Sequence, residues 1–197
     1  MTKELFSLAA TALTFIAYWP YIRSIQRGEV KPHVFSWIIW GMVTVVVFGA
    51  QLAGGAGVGA WPIGISGLIG FYVAVLAYLK KADDSITRSD WVFFAAAMSS
   101  LPLWYFTDDP LYAVIILSTV DVLGFGPTLR KAYVRPFDEQ LLFFVLMALR
   151  NGLALAALEH YSATTVLFPA VTALACLVFL AVVGYRRRVL PHTQNSP

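Results

Sequence analysis

Apolar runs of membrane length alternate with short polar connections along this chain of 197 residues. A helix needs about 20 predominantly apolar residues to cross the hydrocarbon core of a bilayer, and seven runs approach or reach that length. The fourth is the shortest, and Ser99, Ser100 and Pro102 interrupt its apolar character. The runs span residues 5–25, 34–54, 60–79, 91–106, 111–129, 137–158 and 163–185. The pattern predicts an all-α membrane protein with seven transmembrane helices.

Basic residues lie mainly at the ends of these runs. Twelve of the 14 Lys and Arg residues fall in connections on one predicted side of the membrane, whereas the opposite connections contain none. The opposite connections hold a glycine-rich run at 54–59 and the acidic residues Asp108, Asp109 and Glu159. Because loops rich in Lys and Arg stay in the cytoplasm, we predict that the N-terminus is outside and the C-terminus inside.

A repeat with a constant offset of 107 residues runs through the chain. It relates Pro20 and Arg23 to Pro127 and Arg130, and it carries Pro62 onto a second proline at position 169. Such a register indicates one three-helix unit used twice, with both copies entering the membrane in the same direction. The predicted parts are a first three-helix bundle at 1–81, a linker with the fourth helix at 82–108, a second bundle at 109–188 and a cytoplasmic tail at 189–197.

Composition supports the membrane class and narrows the chemistry. The chain is 59% hydrophobic and 13% charged, with a mean hydropathy of +0.72, which is too apolar for a soluble domain. The net charge of +3 does not indicate nucleic-acid binding, because the basic residues are topology signals at span ends. We therefore expect an integral protein of the bacterial inner (plasma) membrane whose partners are the lipid bilayer and a small solute, with self-association left open.

Catalytic and cofactor signatures are missing from the sequence. Cys176 is the single cysteine and lies inside a predicted span, so neither a disulfide nor a metal site is expected. No metal-ligand cluster, nucleophile motif or acid pair indicates an enzyme or a cofactor. The glycine-rich run lacks the lysine of a phosphate-binding loop, and we interpret it as a flexible connection.

Polar residues at helical spacing form stripes on the first, second, fifth and sixth spans. In the fifth span the stripe contains Ser118, Asp121 and Thr128, and the repeat offset places Thr11, Thr14 and Tyr21 at the same positions of the first. Such stripes predict a shared polar path, although Ser and Thr hydroxyls often bond their own helix backbone instead. The candidate residues for a solute or ion path are Ser36, Trp40, Thr44, Thr14, Ser118, Asp121, Arg150 and Asn151.

Asp121 and Arg150 are the two charged residues well inside predicted spans. A charge at that depth costs about 2.5 to 3.5 kcal/mol on insertion scales unless it is paired or hydrated. Three roles stay open: a structural salt bridge between the two, a proton-coupling carboxylate with its arginine, or an arginine that binds an anionic group of a solute.

Four prolines occupy equivalent positions in the two units. Pro20, Pro62, Pro127 and Pro169 lie in or at the ends of the first, third, fifth and seventh spans. A proline removes a backbone donor and weakens the local helix. These prolines are candidate hinges, and static kinks are the alternative interpretation.

The doubled Pro-x-x-Arg stretch, the 3 + 1 + 3 layout and the N-out orientation resemble the PQ-loop and SWEET-type transporter superfamily. Pro20 and Pro127 match the prolines of its repeated signature, with Tyr21 and Thr128 in place of the glutamine. The resemblance implies two three-helix bundles between which a small polar solute crosses by alternating access, facilitated or proton-coupled. A non-transporting membrane receptor of the same architecture is the alternative.

Overall fold

The computed structural model describes residues 2–28, 34–80, 88–134, 136 and 141–190. Within these residues the regular structure is entirely helical, which confirms the all-α class. The helices are α1 Thr2–Gln26, α2 Val34–Ala53, α3 Trp61–Leu79, α4 Arg88–Thr107, α5 Pro110–Val134, α6 Leu141–Ala157 and α7 Ala163–Val189, with a 3₁₀ turn at Gly57–Ala60 before α3. The described part of each predicted run therefore corresponds to one α-helix, and residues 137–140 of the sixth run lie outside the described residues.

The outer surface of the bundle is apolar. Three segments are long and apolar enough to cross a membrane: Thr2–Gln26, Gly57–Leu79 and Ala163–Val189. All seven helices expose large apolar side chains, and Leu8, Leu68, Val92 and Leu142 are each 66% exposed. Because such a perimeter is unfavourable in water and favourable against lipid tails, the structure indicates a membrane protein. That all seven helices span the membrane stays a prediction.

The helix ends explain why the apolar runs are divided where they are. At the start of α5, Asp109 Oδ1 accepts the backbone N–H of Leu111 at 2.9 Å, and Pro110 occupies the first helical position. At the start of α7, Ser162 and Thr165 form a reciprocal capping box. Both arrangements satisfy amide groups that the first turn of a helix leaves unpaired. The connections before α5 and α7 therefore end in residues that cap the next helix.

The helices pack as two groups of three with α4 at the side. In the first group α3 packs against both α1 and α2, and in the second α7 packs against both α5 and α6. The groups meet where α1 packs on α6 and where α2 packs on α5, while α4 lies against α5 and α2. We call α1–α3 the first unit and α5–α7 the second unit. Each contact within or between the units has a counterpart under exchange of the two.

The helices α2 and α3 pack closely through small residues. A Cβ atom built on Gly67 would lie 2.8 Å from both Thr44 Oγ1 and Val45 Cγ2, and one on Gly64 would lie 2.8 Å from the Phe48 ring. Membrane helices lack a hydrophobic driving force between them, so close approach through glycine is a main source of their association. This glycine stripe fixes the internal geometry of the first unit.

We predict that Gly67→Ala lowers the free energy of unfolding by about 1 to 3 kcal/mol, because the added methyl group overpacks the α2–α3 contact. Gly184→Ala is the matched control, since a Cβ there meets nothing within 4 Å. The control should be neutral or up to about 1 kcal/mol more stable. Unfolding in mixed detergent micelles measures both, and equal effects of the two substitutions would contradict the packing described.

Candidate functional site

A buried arginine of the second unit reaches across to the first unit. Arg150 lies on α6 and is only 3% exposed. Its Nη2 donates to the carbonyl oxygen of Pro62 at 2.6 Å, its Nε to Thr14 Oγ1 at 3.3 Å, and its Nη1 to Asn151 Oδ1 at 2.9 Å. Pro62 begins α3 and Thr14 lies in the middle of α1. The guanidinium therefore links α6 to two helices of the other unit.

The partners of Arg150 are oriented by their own helices. The Thr14 hydroxyl donates to the Ala10 carbonyl at 3.0 Å, which leaves its lone pairs free to accept from Arg150. Asn151 Nδ2 donates to the Met147 carbonyl at 2.9 Å, which turns the amide oxygen toward the guanidinium. Both side chains are fully buried. The environment of the arginine is thus polar, preorganised and neutral.

Asp121 lies in the same interior but does not contact Arg150. Its carboxylate accepts from Thr172 Oγ1 at 3.2 Å, a contact between α5 and α7 inside the second unit. The charges of Asp121 and Arg150 act on each other electrostatically, and none of the hydrogen bonds of the two residues joins them. The reason is topological: α6 packs on α1 whereas α5 packs on α2. The direct salt bridge, one of the three roles left open, is therefore absent from this structure.

Aromatic rings continue the unit interface beyond the polar cluster, toward the end of the bundle that carries most basic residues. Tyr18 donates or accepts one hydrogen bond with Ser66 Oγ at 3.2 Å. The Phe143 ring of α6 lies 5.9 Å from the Tyr18 ring and 6.3 Å from the Tyr21 ring, centroid to centroid. Trp37 packs edge-on against Trp40 at 5.4 Å. The ring contacts of Phe143 with Tyr18 and Tyr21 join the two units in this half.

None of the remaining sequence-predicted path residues whose side chains the structure describes is hydrogen-bonded to Arg150. Thr44 donates to the Trp40 and Gly41 carbonyls at 2.7 and 3.1 Å, so its hydroxyl bonds its own helix as the alternative interpretation proposed. Ser118 is buried one turn from Asp121, and its hydroxyl has no hydrogen-bond partner. The side chains of Ser36 and Thr128 lie outside the described part of the structure. The structure thus brings together Thr14, Arg150 and Asn151, with Asp121 nearby.

Sequence reasoning missed a second contact between the units, at the end formed by residues 54–60 and 158–162, which we call the glycine-rich end. Glu159 donates its backbone N–H to the Ala56 carbonyl at 3.1 Å, and its carboxylate accepts the Val58 N–H at 3.2 Å. Lys3 Nζ donates to the carbonyls of Leu158 and Glu159. The glycines allow this approach: a Cβ on Gly59 would lie 2.8 Å from the Leu158 backbone. The segment expected to be a flexible connection is instead closely packed.

The backbone carbonyls four residues before Pro62 and Pro169 both accept side-chain hydrogen bonds, and the Val58 carbonyl also accepts the Trp61 N–H. A proline cannot donate to the carbonyl four residues before it, which for Pro62 is Val58 and for Pro169 is Thr165. Ser7 Oγ donates to the Val58 carbonyl at 2.6 Å, and Gln51 Nε2 donates to the Thr165 carbonyl at 2.7 Å. The repeat offset relates these two sites. The position four residues before a proline is therefore a sequence signal for a carbonyl that accepts a side-chain hydrogen bond.

The four prolines are not equivalent in the helices. Pro20 and Pro169 lie inside α1 and α7, and Pro127 falls within the range of α5. Pro62 instead lies in the first turn of α3, where the missing N–H would have no helical partner in any case. Hinging at Pro62 therefore has less basis in the structure than hinging at the other three.

Among the described residues no group of three His, Cys, Asp or Glu side chains could hold a metal ion. Comparison of the chain with known family models, curated proteins and solved structures finds no match. The site consists of a buried cation with neutral hydrogen-bond partners, and it lies where the two helical units meet.

We predict that the charge exchange Asp121→Arg with Arg150→Asp fails to restore stability. A carboxylate at position 150 would face the Pro62 carbonyl oxygen, acceptor against acceptor, and the two positions do not contact each other. The double variant should unfold at a temperature no higher than that of the less stable single variant. Thermal unfolding and the yield of monodisperse protein measure this, and recovery to wild-type stability would show that the charges pair directly.

Proposed function

We propose that the chain is a seven-helix transporter of the bacterial inner membrane that moves a small polar solute by alternating access between its two three-helix units. The observation that carries the proposal is Arg150, a buried cation of the second unit whose hydrogen bonds end on α1 and α3 of the first. A charge in the membrane interior is rarely retained without a role in a solute or ion path. Its location between two units that can move relative to each other suits a solute path.

The packing supports an internal repeat. In each unit the third helix lies between the first two, and the α1–α6 contact has its counterpart in the α2–α5 contact. The carbonyls of Val58 and Thr165, which accept side-chain hydrogen bonds four residues before Pro62 and Pro169, lie 107 residues apart in sequence, the offset that also relates Pro20 to Pro127. Repeated units that meet around a central site are the common plan of secondary transporters, and the resemblance to the PQ-loop superfamily points to the same plan.

The hydrogen bonds between the units suggest which state the structure represents. The contacts of Lys3, Gln51, Glu159 and Arg150 described above all lie in the half toward the glycine-rich end, which the distribution of basic residues predicts to be external. Each such bond contributes on the order of 1 kcal/mol net. Together they amount to a few kcal/mol, similar to the roughly 5.5 kcal/mol that inverts a two-state population. We infer that the external side is closed here and that binding of a solute can open it.

The direct test is flux into vesicles that contain the purified protein. A panel of sugars, amino acids, nucleosides, vitamin precursors and small carboxylates is offered outside, and uptake is compared with protein-free vesicles. Uptake of one class supports the proposal. Saturable binding of a compound without net flux would replace the transporter with a receptor of the same architecture.

We predict that a disulfide across the glycine-rich end stops transport. In a Cys176→Ala background, Ala56→Cys with Glu159→Cys places two thiols on adjacent backbones, since the Glu159 N–H donates to the Ala56 carbonyl at 3.1 Å. Oxidation should abolish uptake and a reductant should restore it. The two single-cysteine variants are the controls, and neither oxidation nor reduction should change their uptake. Undiminished uptake by fully cross-linked protein would contradict opening at this end.

We predict that Asp121→Asn abolishes the uphill accumulation of solute that a pH difference across the membrane drives. Exchange of solute down its own concentration gradient should be preserved. The side chain is half-buried and makes one described hydrogen bond, to Thr172, so an amide fits while the exchangeable proton is lost. Asp109→Asn is the matched control, because asparagine also caps the start of α5. Equal loss of accumulation and exchange would assign Asp121 a structural role.

A further inference from the structure

The guanidinium of Arg150 has unused capacity for an anion. An arginine carries five N–H donors, and three of them donate to Thr14, Asn151 and Pro62. All three acceptors are neutral. Two N–H groups of a side chain that is 3% exposed therefore have no acceptor among its described contacts. A buried charge in this condition is unfavourable, and an anion at the site would relieve it.

The ionisable groups around Arg150 do not supply that anion. Those that act on it electrostatically are Tyr18 from α1, Cys176 from α7 and Asp121 from α5. Asp121 is the one carboxyl group among them, and its hydrogen bond goes to Thr172 instead. Glu159, at the glycine-rich end, accepts the Val58 N–H. Among the residues that the structure describes, no carboxylate is therefore hydrogen-bonded to this planar, bidentate cation in the interior.

We propose that the solute carries an anionic group, a carboxylate or a phosphate, and that Arg150 binds it; the inference rests on the proposed transport function. The anion forms charge-assisted hydrogen bonds, which are about twice as strong as neutral ones. It therefore competes with the Pro62 carbonyl and the Thr14 hydroxyl for the same donors. These two acceptors belong to the first unit, so occupancy by the anion weakens the link between the units.

Small anions test the site without knowledge of the full solute. Thermal unfolding of the purified full chain in a neutral detergent is measured with formate, acetate or inorganic phosphate, and with formamide and acetamide as neutral matches. Sodium chloride keeps the ionic strength constant. A carboxylate or phosphate should raise the apparent Tm by about 2 to 4 °C. No shift from any anion, or equal shifts from formate and formamide, would overturn the proposal.

Variants assign the effect to Arg150. Arg150→Gln should lose the Tm shift. Arg150→Lys keeps the charge without the bidentate fork and should show a smaller shift, so it provides the test if the glutamine variant folds poorly. Thr14→Val removes a competing acceptor and should tighten binding of the anion by up to about tenfold. Thr119→Val is its control, because the exposed Thr119 hydroxyl bonds the Ile115 carbonyl of its own helix. A wild-type shift in both Arg150 variants would overturn the proposal.

Two further arms separate the anion site from its alternatives. Stabilisation by an anionic lipid but not by formate would assign Arg150 to a lipid headgroup and overturn a solute site. Flux of the stabilising anion into vesicles supports both proposals together. Binding dependent on Arg150 without flux keeps the anion site and removes the transporter, whereas flux of neutral compounds that is unchanged in Arg150→Gln keeps the transporter and removes the anion site.

Discussion

A buried positive charge between two helical units is the constraint on which the rest of this structure depends. The cost of burying the charge of Arg150 falls through contacts that the protein itself supplies. Those contacts come from a hydroxyl, an amide and a carbonyl on three different helices. The same bonds that make the charge tolerable therefore hold the two units together, and the interior chemistry and the packing of the units are one problem.

Proline gives this interface a second set of contacts. Pro169 removes the helical donor of the Thr165 carbonyl, and in a membrane an unpaired carbonyl must find another partner. Gln51 provides it. Ser7 bonds the Val58 carbonyl, which also accepts the Trp61 N–H. Gln51 crosses from the first unit to the second, while Ser7 stays within the first. Residues that look like helix breakers in sequence thus determine where side chains of other helices bond.

The sequence predicts the helices well because apolar runs and their capping residues are local features. It also predicts that Thr14 and Asn151 belong to a polar interior, since their spacing follows the helix period, and that Arg150 does, since a charge inside an apolar run is costly unless it is paired or hydrated. It does not predict that Arg150 bonds a carbonyl at the start of α3, because backbone acceptors leave no trace in residue type. It also misses the glycine-rich end: small residues suit both a loose loop and a close backbone contact, and only the position of Leu158 and Glu159 decides between them.

The two units carry different residues at the positions that the repeat makes equivalent to the polar cluster. The offset relates Thr14 to Asp121 and Asn151 to Thr44, and it relates Arg150 to the apolar Val43. The α1–α6 contact therefore holds a cation with neutral partners, whereas its counterpart at α2–α5 is packed with apolar side chains. The Asp121 carboxylate bonds Thr172 inside the second unit. An exact repeat would bring two equal sites to the interface. The structure instead holds two unequal charges, Arg150 where the units meet and Asp121 inside the second unit, and each acts electrostatically on the other.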